Sequence, residues 1–170
     1  MGKKKIKLRK RDAERIAEFA AALTKELGIF GRIAVSNCKQ QVMAEKKVGS
    51  PYPVTRSIAV NKANQSAYTG MRTRITAEVV LSGKRTLGLY GIDPEKFVPF
   101  AGGCPIYTQE GIHIGGAGFS QETAVTDERI IATAIEACGF LSDAPKKEDI
   151  SLEKIQKAAK KVKKRMKKGK

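Results

Sequence analysis

One histidine, three cysteines and several paired glycines carry most of the chemistry that this 170-residue sequence can offer. His113 is the sole imidazole, a side chain that both ligates iron and serves as a general base near neutral pH. In the alternating run Ile112-His113-Ile114 it points away from the apolar face, which also reads as a plain solvent-facing position. Cys38 and Cys104 each offer a thiolate ligand, or else act as small buried hydrophobes, the usual role of a free cysteine. Gly102-Gly103 and the Gly115-Gly116-Ala117-Gly118 run would let a planar or anionic ligand approach backbone N–H groups; close helix packing or a bulge would demand the same residues. Lys62 and Arg56 sit about a turn and a half apart on one expected helix. They suit the carboxylates of a ligand, or an ordinary solvated or interfacial face. Asp127 reads as a helix N-cap. No carboxylate pair, Ser/His/Asp set or metal-ligand cluster accompanies His113, so no catalytic group is assigned and no metal site is expected.

The elements that must position these residues follow from periodicity. Asp12 is placed to cap a helix whose apolar positions Ile16, Ala20, Leu23 and Leu27 recur at helical spacing, with Gly28 ending it. Gly31 to Ser36 and Gln41 to Glu45 read as strands joined by Asn37-Cys38-Lys39-Gln40. After Pro51 and Pro53, the small and apolar residues Ile58, Ala59, Ala63 and Ala67 predict a second helix from Val54 to Thr69, closed by Gly70. Thr73 to Leu89 mixes signals, and a short helix or turn before an extended piece is expected. The loop from Phe97 leads into a strand ending at Tyr107, Gln109-Glu110-Gly111 turns the chain, and Ile112 to Ser120 forms the partner strand. Thr126 or Asp127 then opens a helix through Ile130, Ile131, Ala134, Ile135 and Cys138, closed by Gly139. Helix, hairpin, helix, hairpin, helix implies an α+β layer arrangement, an antiparallel sheet with helices packed on it.

The formal charge of +16 is confined to the ends. Residues 1–11 hold seven Lys/Arg and no acid, and residues 145–170 hold twelve Lys/Arg against three acids, whereas fourteen bases and fourteen acids cancel between them. This divides the chain into a basic leader (1–11), a near-neutral domain (12–141), and a linker with a basic amphipathic helix (142–170). A neutral body gives no argument for binding a polyanion except through its ends. Three cysteines without CxxC spacing argue against a disulfide framework or a zinc site and fit a reducing cytoplasm. No apolar run is long enough for a transmembrane span, and no secretion signal is expected. On the terminal helix Leu152, Ile155, Ala159, Val162 and Met166 form one stripe.

Three blocks resemble one known family. The hairpin Ile33-Ala34-Val35-Ser36 to Val42-Met43-Ala44, the helix with Ser57, Lys62 and Ala63, and Gly102-Gly103-Cys104-Pro105-Ile106 followed by Gly111 to Ser120 and Asp127 are similar to the GlcG/HbpS-like haem-binding, haem-degrading proteins and the PduO C-terminal domain. The resemblance spans roughly residues 12–140. It implies an α+β, profilin-like arrangement with about five antiparallel strands, haem or another tetrapyrrole as cofactor, and a homo-oligomer. Arg56, Lys62, Gly102, Gly103, His113, Gly115 and Gly116 are then the candidate binding residues. It also suits residence inside a bacterial microcompartment, since a linker plus terminal amphipathic helix resembles cargo-targeting peptides. The alternatives are an enzyme acting on a small molecule in the glycine-lined pocket, and a module that binds shell protein or polyanion through residues 145–170. A merely solubilising tail is the plainer reading of those last residues.

Overall fold

The computed structural model describes residues 6–146 and 150–168. The first five residues of the leader, 147–149 of the linker and the last two residues lie outside that range.

Helix α1 (Lys10–Glu26) precedes strands β1 (Gly31–Asn37) and β2 (Val42–Val48), and helices α2 (Thr55–Thr69), α3 (Thr73–Leu81) and α4 (Leu87–Tyr90) follow. Strands β3 (Gly103–Tyr107) and β4 (His113–Ser120) lead to α5 (Ala124–Ala137) and α6 (Leu152–Lys168). The sheet has four strands in the order β2-β1-β4-β3, every pair antiparallel. The α+β arrangement is as expected, with four strands in place of about five. The difference lies in Thr73 to Leu89, where the β-favouring residues fold into α3 and the start of α4. Thr73, Thr76 and Ala77 are buried at helical spacing, so burial outweighs local propensity.

Each sheet face has its own chemistry. Ile33 and Val35 of β1, Ala117 and Phe119 of β4, and Cys104 and Ile106 of β3 turn to one side and meet Ile16, Ala17 and Ala20 of α1 and Ile130, Ile131 and Ile135 of α5. This is the main core. Removing Phe119 from water alone contributes about 1.5–3 kcal/mol. The other face is made of Ala34, Gly103, Gly116 and Gly118, and α2 lies across it through the buried stripe Ala59, Ala63 and Ala67. Small residues on both sides bring helix and sheet backbones together.

Two expected caps are replaced. Helix α1 begins at Lys10 after Arg9, which makes no side-chain cap, while Asp12 accepts from Arg9 Nε at 2.7 Å. Helix α5 is capped by Thr123, whose Oγ1 accepts from Thr126 N at 3.3 Å, leaving Asp127 free for another partner. Leu8 is buried in the core, and beyond α5 Leu141 pairs with Tyr107 while Arg72 binds Glu128, Asp143 and Ser142.

Candidate functional site

The α2 stripe carries one residue out of character. Lys62 lies beside Ala59 and Ala63, so the packing that buries the alanines buries the lysine too; its side chain is 1% exposed and that of its partner Asp127 3%. The ammonium donates to Asp127 Oδ2 at 2.7 Å and to the Phe119 carbonyl at 2.9 Å, 5.1 Å from the Phe100 ring centre. Asp127 Oδ1 accepts from Glu122 N at 3.0 Å. Burial pulls the lysine down from its ordinary value, with Asp127 opposing, and lifts the aspartate, with Lys62 opposing. Gly102, at φ +119, leaves the space that the Lys62 amine fills. The pair therefore ties α2 to β4 and α5. Neither charge is left over for a ligand's carboxylates.

The glycines expected to line a pocket are likewise occupied. A Cβ at Gly116 would lie 2.9 Å from the Ser66 carbonyl carbon and closer still to Ala67 N and Ala63 O; one at Gly103 would lie 2.6 Å from the Lys62 carbonyl oxygen and the Thr73 methyl. Gly115 faces the opposite side, where an added Cβ would lie 3.0 Å from Leu8 Cδ2 and closer to Ser36 O. Of the two readings of these glycines, close packing accounts for Gly103, Gly115 and Gly116. Arg56 is exposed and binds Glu45 at 2.8 Å, beside a shallow cleft with Val42, Ser57 and Val60. Six residues apart on α2, Arg56 and Lys62 have different partners.

His113 is half-buried rather than solvent-facing. Its Nε2 lies 2.9 Å from the Gly115 carbonyl, which can only accept, so in the neutral ring Nε2 carries the proton and Nδ1 keeps its lone pair. Cys38 Sγ stands 3.6 Å from that Nδ1. The ring packs on Tyr107 with centroids 4.9 Å apart, and the Tyr107 hydroxyl donates to the Gly70 carbonyl at 2.8 Å, which fixes the support. Burial lowers the His113 pKa and raises that of Cys38, so the two meet as neutral imidazole and thiol. The register brings them together: Asn37 pairs with Gly115, which sets the β1–β2 turn against the start of β4.

This pair faces a cleft of about 670 Å³. Ile6, Leu8 and Ile114 supply apolar wall, Lys7 and Lys39 supply cations, and Asn37 and Gln41 complete the rim. That lining combines apolar wall, two cations and sulfur and nitrogen donors at one opening. Cys104, in contrast, is buried in the core with its thiol pushed up to about 12, which removes it as a ligand. Among the described residues no cluster of three or more His, Cys, Asp or Glu side chains forms. Nor is any described helix long and apolar enough to cross a membrane.

Known structures share the fold. The PduOC:heme complex superposes with a TM-score of 0.72 at 23% identity over 81% of this chain and 99% of that one. The Klebsiella pneumoniae protein ORFY gives 0.70 at 18% identity, over 80% of this chain and 94% of that one. HbpS gives 0.67 at 20% identity, over 79% and 92%. No curated protein matches the sequence. The family model described as "Haem degrading protein HbpS-like" matches residues 8–136, so the chain belongs to the HbpS-like family.

Proposed function

We propose that this protein binds haem in the cleft bounded by Ile6 to Leu8, the β1–β2 turn and the start of β4. The observation that carries the reading is the Cys38 thiol set against the unprotonated nitrogen of His113 at an apolar-walled opening. Cys38 or His113 would hold the iron, Ile6, Leu8 and Ile114 the macrocycle, and Lys7 and Lys39 the propionates. Gly115 contributes as well, through the carbonyl that fixes the His113 tautomer. Haem bound there would supply a redox-active iron whose potential depends on the ligating atom. The family and the haem complex of a structural neighbour support this choice of ligand. The free cysteines Cys38, Cys104 and Cys138 support a reducing compartment, the cytoplasm or a microcompartment interior, where the protein works as a homo-oligomer in this reading.

Hemin titration of the full chain tests the proposal. A saturable Soret shift is expected, with at least about a 10-fold loss of affinity in Cys38→Ala/His113→Ala. Affinity should also fall with pH, but only once pH is well under the ordinary imidazole range, because burial lowers the His113 pKa and protonation then removes the Nδ1 lone pair. An unsaturable signal, or equal affinity in the double variant, overturns it.

A further inference from the structure

Helix α6 stands apart from everything described so far. Residues 152–160 and Val162 are exposed, and α6 packs on no other element among the described residues. Its sequence carries nine Lys/Arg and one acid in 17 residues. At about 100° per residue, Leu152, Ile155, Ala159, Val162 and Met166 fall within an arc of about 80°, and the lysines spread around most of the remainder. Leu152, Ile155 and Val162 are each at least half exposed.

We propose that α6 docks this protein on an anionic lipid surface. The two halves of the helix select that partner together. Phosphate headgroups complement the cationic arc, and the boundary with the acyl chains takes up the apolar stripe. A nucleic acid would use only the charge. It would leave Leu152, Ile155 and Val162 in water, and α6 has no aromatic residue on which a base could stack. The stripe is also too narrow and too flanked by lysine to serve as a core helix. Like charges at i,i+4, such as Lys160 and Lys164, oppose a free helix of this length in water, and an anionic surface relieves that repulsion. Docking and helix formation should therefore be coupled. The fourteen bases and fourteen acids between Asp12 and Ala144 cancel, so that part of the chain supplies no comparable attraction.

Co-sedimentation of the full chain with phosphatidylglycerol-containing vesicles and with pure phosphatidylcholine vesicles tests this, alongside Ile155→Ser/Val162→Ser and a chain lacking residues 150–170. Binding is expected to the anionic vesicles only, to weaken as salt rises past about 0.1 M, and to come with a gain in helical circular dichroism. The serine variant keeps every charge and should lose at least about tenfold in binding, and the truncated chain should lose all of it. Serine-variant binding equal to wild type, or a short DNA duplex that strips the protein from the vesicles at equal phosphate, overturns the proposal. Either result would mean that the tail senses charge alone.

Discussion

Lys62→Met should lower the unfolding free energy by about 3–5 kcal/mol, read from the urea midpoint, because it strands the Asp127 carboxylate in a site that is almost dry. Asp127→Leu should cost a similar amount for the reciprocal reason. The double variant should recover most of the loss, since two apolar side chains of similar volume remove the desolvation cost together with the attraction. A Lys62→Met variant within about 1 kcal/mol of wild type would show that the pair is neither buried nor charged as described. An additive double variant would show the same. The comparison matters for function because the resemblance offered Lys62 as a ligand-binding cation. A lysine free to meet propionates would tolerate methionine in the unliganded protein.

The second large effect lies where α2 rests on the sheet. Gly116→Ala places a methyl group against the backbone of Ala63, Ser66 and Ala67, and the helix has to lift. Overpacking of this kind costs about 1–3 kcal/mol, and here the obstacle is backbone rather than a side chain that can rotate away, so the upper part of that range is expected. Gly88→Ala is the control. Its nearest neighbour is a Thr86 hydroxyl at 3.9 Å, so its effect should stay within about 0.5 kcal/mol, the range of an ordinary surface change. Equal stability of the two variants in thermal melts would mean that β4 does not need its glycines for packing, and would reopen the space beside them to a ligand.

Much of this architecture is written in local periodicity. Both hairpins, the α2 stripe with its stop at Gly70, and the apolar face of α5 follow from spacing alone, because each pattern is satisfied within a dozen residues. The burial of Lys62 did not follow from spacing, which reads it equally as a ligand contact or a solvated cation and reads Asp127 as a cap; only the contact between α2 and α5 pairs them. Other features depend on contacts between distant segments. Cys38 and His113 are 75 residues apart and meet only because β1 and β4 pair in one particular register. His113 appeared solvent-facing since alternation says nothing about the turn that covers it. Leu8 looked like part of a charged leader, yet it fills space that Gly115 leaves open. The Thr73 to Leu81 helix defeated propensity for a similar reason, as its buried face is set by the sheet beneath it.

Alkylation of Cys38 followed by mass spectrometry, in the full chain with and without one equivalent of hemin, locates the binding cleft without relying on any substitution. Cys38 is exposed and Cys138 partly so, whereas Cys104 is enclosed, so two thiols report and one stays silent. Haem held in this cleft should shield Cys38 from iodoacetamide and leave the rate at Cys138 unchanged. Equal labelling of Cys38 with hemin bound would contradict a haem site at this cleft.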